Sequence, residues 1–328
     1  MSGALPTRDA IVATARESIA RGSKSFAAAS LLFDRRTRER AWLLYAWCRK
    51  CDDIVDGQDH GHGMSPVDDA PARVAEVAAM TDMALAGRVV GDPAFDALRI
   101  VVAETRLPAH FARDVVAGFA LDAREWRPRS EDDLYLYCYH VAGVVGCMMA
   151  VVMGVSPDDH DTLDRACDLG IAFQLANIAR DVGEDDAAGR CYLPEDWLAE
   201  IDVPPGEQMK PHYRPRIAML ARRMADRAAA FEASAREGTT ALSFRSAWAV
   251  LSAAGIYGAI GRKVAAGGEH AWDRRVTTSA ADKLGFIARS GVEAARRKTL
   301  YPRTARDPSL WTRPTVFGVS RGAPEPKP

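Results

Sequence analysis

The sequence lacks several features that would point to other classes of protein. Its 328 residues carry a formal net charge of −1, so it has no excess of basic residues to offset nucleic-acid phosphates, and nucleic-acid binding is not expected. Cysteine is scarce: six residues are scattered between positions 48 and 191, too few and too dispersed for a disulfide framework. Any polyanionic ligand must therefore be held locally, by individual cationic side chains or metal ions.

Long apolar segments are also missing. The two longest uncharged stretches, 141–155 and 246–261, are shorter than the roughly 20 residues that span a bilayer, and their Gly and Ala content favours buried helices. The N-terminal segment carries charges of both signs instead of the apolar run of a signal peptide. Cys48 and Cys51 form a C-x-x-C pair with no second pair at ligand spacing, which favours two reduced thiols over a zinc or redox site. We therefore expect a cytoplasmic protein.

Helical periodicity dominates the rest of the chain. Apolar residues recur at spacings of three and four in segments near 7–21, 37–56, 67–87, 93–105, 108–124, 131–154, 159–186, 212–236, 241–267 and 278–297. Within 134–141 tyrosines alternate with other residues, but this stretch continues into an Ala/Gly/Met-rich segment and is interpreted as helix. The pattern predicts an all-α protein with a single domain over residues 1–300. The Pro- and Arg-containing residues 301–328 are predicted to form a loosely ordered tail.

A first polar stripe lies on the predicted helix that ends before Gly57. Tyr45, Arg49, Asp52 and Asp56 follow one another at steps of four, three and four, which places them on one helix face. Asp52 and Asp56 are about 6 Å apart along the axis at 1.5 Å per residue. Two carboxylates at this spacing can share divalent cations such as Mg²⁺, which is usually held by one or two carboxylates together with phosphate oxygens and water.

A second stripe has the same Asp-x-x-x-Asp spacing. Gln174, Asn177, Asp181 and Asp185 follow at steps of three, four and four, and Arg180 lies beside them. The surrounding helix is otherwise apolar. The stripe is therefore either the solvent face of this helix or the lining of a cavity.

A solvated acidic face is the alternative explanation for each stripe taken alone. Both stripes end near a predicted helix C-terminus, where a negative charge costs about 0.3–1 kcal/mol per group, so a compensating cation is the simplest explanation. The spacing occurs twice, and each stripe has a nearby arginine, Arg49 or Arg180, suited to bidentate phosphate contact. Together these features indicate a metal–diphosphate site.

The sequence resembles the squalene/phytoene synthase family over roughly residues 15–290. The similarity is carried by long blocks in the same order: Gly22-Ser-Lys-Ser-Phe26, Leu44-Tyr-Ala-Trp-Cys-Arg-Lys-Cys-Asp-Asp-Ile-Val-Asp56, Tyr137-Cys-Tyr-His-Val-Ala-Gly-Val-Val-Gly146, Ala172-Phe-Gln-Leu-Ala-Asn-Ile-Ala-Arg-Asp-Val-Gly-Glu-Asp185 and Gly189-Arg-Cys-Tyr-Leu-Pro194. Within the family, these blocks are most similar to those of bacterial phytoene synthases. The resemblance implies an isoprenoid-synthase-type helical bundle with a central cavity.

The resemblance also implies roles for individual residues. The implied metal ligands are Asp52, Asp56, Asn177, Asp181 and Asp185, with Mg²⁺ as the cofactor, Mn²⁺ as its alternative and no requirement for NADPH. The implied diphosphate contacts are Ser23, Ser25, Tyr45, Arg49, Gln174, Arg180, Tyr257 and Arg275, the last favoured over its neighbour Arg274. Tyr137 matches a tyrosine placed beside the reacting carbons. A plain core position for Tyr137 and a helix-capping role for Ser23 and Ser25 are the alternatives.

Ionisation of an allylic diphosphate leaves a carbocation that water would quench, so the cavity has to be dry and lined by apolar or aromatic groups. The expected wall residues are Phe26, Val141, Ala142, Val145, Gly146 and Phe173. The small residues at 142, 143 and 146 are expected to leave room for a long prenyl chain.

The implied reaction is the head-to-head condensation of two molecules of geranylgeranyl diphosphate, through prephytoene diphosphate, to phytoene. Dehydrosqualene or squalene synthesis from farnesyl diphosphate is the nearest alternative. A head-to-tail elongase or terpene cyclase fits the second motif less well, and a non-catalytic helical scaffold leaves the duplicated stripes unexplained. Because substrate and product are lipids, we expect peripheral attachment to the inner membrane surface, with other carotenoid enzymes as neighbours.

Overall fold

The computed structural model describes residues 6–56 and 69–314, without the side chains of Lys24, Ser25 and Asp56. Within these residues the chain forms α-helices, a few short 3₁₀ or π turns and no β-strand, which confirms the predicted all-α class. The helices are α1 (Arg8–Gly22), α2 (Lys24–Ser30), α3 (Arg35–Asp56), α4 (Ala70–Leu85), α5 (Pro93–Thr105), α6 (Ala109–Asp122), α7 (Glu131–Cys138), α8 (Val144–Val152), α9 (His160–Ala187), α10 (Glu195–Glu200), α11 (Arg214–Gly238), α12 (Phe244–Gly267) and α13 (Ala280–Leu300).

All the long predicted segments correspond to observed helices, but two short helices were not predicted. α2 follows α1 after a single residue, Ser23, whose side chain accepts a hydrogen bond from the backbone N–H of Phe26. α10 has six residues and begins directly after Pro194. Helices of fewer than two turns show too little of the 3.6-residue period to stand out in a sequence.

The tyrosine-rich stretch 134–141 is helical, as predicted. α7 continues through a π-helical turn, Tyr139–Gly143, into α8 without a break. At this turn Nδ1 of His140 lies 2.9 Å from the carbonyl oxygen of Asp114. π-turns inside α-helices occur frequently at functional sites, and residues within this turn and after it, such as Val141 and Val145, line the cavity described below.

The run Glu131–Val152 is the one helical run in the described residues that is long and apolar enough to cross a membrane by length and composition. The uncharged stretch identified from the sequence, 141–155, is shorter than this run, but residues 134–140 before it also contain no Asp, Glu, Lys or Arg and extend it. In the folded chain 61% of the relevant window is buried against other helices. Such burial is typical of a core helix.

α9 lies at the centre of the bundle and packs against α8, α11 and α12. Two glycines allow its backbone to approach α8 closely. A methyl group on Gly170 would overlap the backbone of Ala142, and one on Gly146 would overlap the carbonyl oxygen of Ala166. The small residue at 146 is therefore required by helix packing as well as by the width of the cavity.

The segment 301–314, the first part of the tail predicted for 301–328, contacts α9 in the structure. Three of its arginines form ion pairs with aspartates in the first half of α9: Arg303 with Asp161, Arg306 with Asp168, and Arg313 with Asp164. The sequence showed the arginines but not their partners, which are more than 130 residues away. Residues 315–328 lie outside the described part of the chain.

Candidate active site

A cavity of about 420 Å³ runs along α9, enclosed by α2, α8, α11 and α12. The structure places all six expected wall residues in its lining: Phe26, Val141, Ala142, Val145, Gly146 and Phe173. Asn177 and Thr162 mark its two ends on α9 and are about 22 Å apart at 1.5 Å per residue. We call the end at Asn177 the mouth and the end at Thr162 the floor.

Two surface grooves are larger, at about 810 and 650 Å³, but they differ in character. One lies along α10 and α11 and the other between α1 and α3, and charged side chains line much of each. Neither groove is lined by a predicted site residue. The smaller, mainly apolar cavity is therefore the better candidate for an active site.

Aromatic rings form pairs near the mouth. The ring of Phe173 stacks on that of Tyr257 with centroids 4.2 Å apart, and the ring of Phe26 lies 5.8 Å from that of Tyr45. All four residues line the cavity. Aromatic faces attract positive charge without reacting with it as water does, so this part of the wall suits a carbocation.

On the α3 side of the mouth, Arg49 lies between two other predicted site residues. Its guanidinium donates a hydrogen bond to the Asp52 carboxylate, and its Nε lies 3.4 Å from the hydroxyl oxygen of Tyr45. A methyl group on Gly22 would overlap that hydroxyl, so the junction of α1 and α2 packs directly against this group. Ser23 directly follows Gly22 in this junction.

On the α9 side, two arginines share one carboxylate. Arg180 Nε donates to Asp181 Oδ1 at 2.7 Å, and Arg275 Nη2 lies 3.1 Å from the same oxygen. Arg275 also forms an ion pair with Glu184. Of the two adjacent arginines considered from the sequence, Arg275 is thus the one found on the aspartate pair.

Side chains from both acidic helices line one cavity. Tyr45 of α3 and Gln174 and Asn177 of α9 all line it, and Tyr257 of α12 lies between Tyr45 and Arg180 closely enough for both to influence the pKa of its hydroxyl. Burial is the main reason that this pKa is raised. Tyr45 of α3 and Gln174 and Asn177 of α9 thus line one cavity, and the approach of the two aspartate motifs to each other stays a prediction.

The carboxyl group of Asp185 has a strongly raised pKa. Burial raises its pKa to about 7, the negative charge of Asp181 adds to this effect, and Arg190 and Arg180 oppose it. Two neighbouring carboxylates, one of them with a pKa raised mainly by burial, form an environment that accepts a divalent cation.

The donor set fits magnesium. Asn177 lines the mouth and offers an amide oxygen, Asp181 and Asp185 on the same helix offer carboxylate oxygens, and Asp52 is held on the α3 side by Arg49. Among the described side chains, no three His, Cys, Asp or Glu residues are close enough to form a metal site by themselves. An ion held there would take part of its ligands from phosphate oxygens and water, as Mg²⁺ commonly does.

Three residues predicted to bind diphosphate or metal have no such role visible in the structure. The Ser23 side chain caps α2, which agrees with the alternative considered for it. The side chains of Ser25 and Asp56 lie outside the described residues. The roles assigned to these three residues remain predictions.

Tyr137 is not among the described residues that line the cavity. Its ring stacks between Trp126 and Tyr192, and its hydroxyl donates to Asp122 with oxygen–oxygen distances of 3.1 and 3.3 Å. Tyr192 also donates to Asp122, at 3.0 Å. The charge of Asp122 contributes to the raised pKa of Asp185, so this aromatic cluster lies beside the second aspartate pair.

Sequence analysis missed Asp122, Tyr192, Glu184 and Arg165 as parts of the site or its surroundings. Tyr192 and Glu184 fall inside blocks that carry the family resemblance, so both could have been selected. Asp122 ends α6 without any motif around it. Arg165 lies in the first half of α9 and gave no signal, because most of its polar partners come from distant segments.

Comparison with known proteins agrees with this site. Residues 19–282 match the model of the family described as squalene/phytoene synthase. The chain is 44% identical over 301 residues to the 15-cis-phytoene synthase of Pantoea ananas, covering 91% of this chain and 96% of that protein. It is 46% identical over 298 residues to the 15-cis-phytoene synthase of Enterobacter agglomerans, covering 89% and 99%.

A solved structure gives a similar result at the level of the fold. A dehydrosqualene synthase crystallised with a ligand superimposes with a TM-score of 0.78 at 26% identity, covering 88% of this chain and 98% of that one. The match to the family model spans well over half of the chain and includes both aspartate motifs. The chain therefore belongs to the squalene/phytoene synthase family.

Proposed function

We propose that the chain is a phytoene synthase, a prenyltransferase that joins two molecules of geranylgeranyl diphosphate head to head. The observation that carries the proposal is that two aspartate-bearing helices both contribute side chains to the lining of one apolar, aromatic-lined cavity. The substrate class is supported by the similarity to phytoene synthases at 43–46% identity over about nine tenths of the chain.

The arginines at the mouth would bind the diphosphate. Arg49, Arg180 and Arg275 form ion pairs with Asp52 or Asp181 in the structure. When Mg²⁺ is bound it supplies positive charge that stabilises the departing diphosphate. The guanidinium groups can then turn from the carboxylates to the phosphate oxygens, for which their planar donor geometry is well suited. Tyr45 and Tyr257 lie where they can orient the same group.

The cavity would protect the cation formed when the diphosphate leaves. In the proposed reaction, the C1–O bond of the first substrate breaks with loss of diphosphate, the C2–C3 double bond of the second substrate donates its electron pair to C1, and proton loss gives the cyclopropyl intermediate prephytoene diphosphate. Ionisation of that intermediate, rearrangement and a second proton loss give phytoene, so no reductant such as NADPH is needed. Phe173 and Tyr257 present ring faces, and the apolar lining excludes water.

Synthesis of dehydrosqualene from farnesyl diphosphate is the second candidate. It is favoured by the structural match to a dehydrosqualene synthase. That match has 26% identity, against 46% for one of the phytoene synthases, so the longer substrate is preferred.

The proposal also covers the metal cofactor and the cellular location of the protein. Mg²⁺ is the proposed metal, with Mn²⁺ as a substitute, because the donors at the mouth are oxygens. The protein is proposed to act in the cytoplasm at the surface of the inner membrane, close to the enzymes that supply its diphosphate substrate and desaturate its product.

The test is product analysis with purified protein. The full chain is incubated with Mg²⁺ and either geranylgeranyl or farnesyl diphosphate, and the hydrocarbon products are identified by mass. Conversion of the C20 substrate to a C40 hydrocarbon, lost on chelation and restored by Mg²⁺, is the expected result. Preferential formation of a C30 product would support the second candidate, and no hydrocarbon from either substrate would contradict both.

A further inference from the structure

The floor of the cavity lies directly beneath a small exposed apolar surface. Phe33 and Leu242 line the cavity and are buried, whereas Leu31 and Phe244, each two residues away along the chain, are 58% and 44% exposed. Two separate chain segments thus each present one large hydrophobic side chain to solvent at this end of the molecule.

One arginine holds the two segments together. Arg245, next to Phe244, donates from Nε to the carbonyl oxygen of Leu32 at 2.7 Å and from Nη2 to that of Leu31 at 3.3 Å. The two exposed side chains therefore belong to one surface. We call this surface the floor patch and define it by Leu31, Phe244, Arg35, Arg36 and Arg245.

The floor patch is basic. Arg35, Arg36 and Arg245 are exposed. Arg35 pairs with Glu39 at 2.8 Å, but its side chain remains 84% exposed. Between residues 30 and 38 the acidic side chain is Asp34, which accepts hydrogen bonds from Thr37 and thereby stabilises the start of α3. The excess of positive charge complements an anionic surface.

From these observations we propose that the floor patch docks the protein on an anionic lipid bilayer. The proposal rests on the function proposed above and identifies the surface responsible for membrane attachment. Leu31 and Phe244 would insert among the lipids, and the arginines would contact the headgroup phosphates.

The size of the patch favours a bilayer over a second protein. A stable protein interface buries about 800 Å² on each partner, whereas one leucine and one phenylalanine supply only a few hundred Å². A bilayer needs no complementary shape, so a few inserted side chains and arginines are sufficient for reversible attachment.

The position of the patch also fits the chemistry of the cavity. Phe244 lies 13 residues before Tyr257 on α12, which is about 20 Å from the mouth at 1.5 Å per residue. Docking by the floor patch would place the hydrocarbon end of the cavity against the bilayer. The charged mouth would remain in water, where metal ions and diphosphate are soluble.

The test compares matched pairs of substitutions in the full-length protein. The patch variant is Leu31→Ser with Phe244→Ser. Its control is Met219→Ser with Leu284→Ser, which removes two hydrophobic side chains that are 64% and 68% exposed on other surfaces. A third variant, Arg35→Gln with Arg36→Gln, removes charge only. Binding is measured by co-flotation with vesicles of phosphatidylcholine alone or mixed with an equal amount of phosphatidylglycerol.

The unmodified protein is expected to bind the mixed vesicles more tightly than the neutral ones. The patch variant should bind at least about tenfold more weakly, and the charge variant about fivefold more weakly per arginine on mixed vesicles only. The control should bind like the unmodified protein. The proposal would be overturned if the patch variant bound vesicles as tightly as the unmodified protein, or if the control variant lost as much binding as the patch variant. Failure of the unmodified protein to bind vesicles would also overturn it.

Two further measurements separate this proposal from its alternatives. Turnover of detergent-solubilised geranylgeranyl diphosphate should be the same in the unmodified protein and the patch variant, because no substituted residue belongs to the cavity lining. Absence of turnover in both, with intact vesicle binding, would contradict the proposed function but not the docking surface. Sedimentation showing a dimer that the patch variant abolishes would assign the patch to a second copy instead.

Discussion

The two ends of the cavity use the same pair of groups, arginine and aspartate, for different purposes. At the mouth, Arg49 and Asp52 are 24% and 35% exposed, and one carboxylate, Asp181, is shared by two arginines. Near the floor, the Arg306–Asp168 pair is 11% and 1% exposed. The mouth pairs can exchange their partners for a ligand, whereas the floor pair is closed off from solvent and holds two chain segments together.

Arg165 shows how fully the groups near the floor are satisfied. Its side chain is 1% exposed, and it donates to the backbone carbonyl oxygens of Ser234 at 3.2 Å and Thr304 at 2.6 Å. It also pairs with Glu237 at 3.2 Å. A buried cation with this many acceptors stabilises the fold by linking the segments that supply them. The difference between the two ends predicts that substitutions at the mouth change activity, whereas those near the floor change stability.

The largest expected effect is on activity, in Asp181→Asn. Loss of this carboxylate removes a proposed metal ligand and the partner of Arg180 and Arg275. We expect kcat/KM for geranylgeranyl diphosphate to fall by about a thousandfold or more, with little change in the unfolding midpoint. Asp161→Asn, near the start of the same helix, is the control and should keep most activity. A stable Asp181→Asn protein with normal activity would contradict the assignment of the mouth.

The second prediction concerns stability, in Arg165→Met. The substitution keeps much of the side-chain volume but leaves the buried acceptors without their donor. We expect a loss of about 3–5 kcal/mol in the free energy of unfolding, measured with denaturant. Arg303→Met, whose side chain is 40% exposed, should cost at most about 1 kcal/mol. If both variants lost the same free energy of unfolding, the buried Arg165 would contribute no more to stability than the exposed Arg303, which would contradict this prediction.

The third prediction concerns pH and metal at the mouth. Because burial raises the pKa of Asp185 to about 7, protons compete with the metal below that pH. The Mg²⁺ concentration for half-maximal activity should rise up to about tenfold per pH unit as the pH falls below 7, and level off above it. A pH-independent Mg²⁺ requirement between pH 5 and 8, a window set around the raised pKa, would contradict this assignment.

The same shift predicts a change in stability without metal. The folded pKa of Asp185 lies above its ordinary value of 3.8, so proton binding favours the folded state. This contribution is fully present below about pH 3.8 and is lost as the pH rises through 7. Asp185→Asn should remove the contribution, which thermal unfolding in the presence of a chelator would detect.

The smallest expected effects are in the aromatic cluster beside the mouth. Tyr137→Phe and Tyr192→Phe each remove one donor to Asp122 while the other remains. Each should lower the free energy of unfolding by about 1 kcal/mol, and the double variant should lose more than the sum.

Comparison of the two single variants tests Tyr137 separately. If Tyr137 lies beside the reacting carbons, its variant should lower kcat more than Tyr192→Phe at similar stability. Equal kcat values would leave Tyr137 with the structural role that its contacts describe.

Much of the fold was predictable because its helices are long and periodic. α9, for example, was predicted within one residue of its observed bounds. The short helices α2 and α10 were not predicted, because each has too few residues to show the 3.6-residue helical period. Spacing within single helices also grouped Tyr45 with Arg49 and Asp52, and Asn177 with Asp181, because side chains three and four residues apart share a face in any α-helix.

Contacts between distant segments were decided only by tertiary structure. The sequence by itself determined the helical class, the two acidic stripes and the family. It did not determine that Arg275 reaches Asp181, that Arg165 is bound by Thr304, or that Tyr137 turns toward Asp122. Helical periodicity is a local property and can be read from neighbours along the chain. A charge pair between residues 94 or more positions apart exists only after packing has brought their helices together.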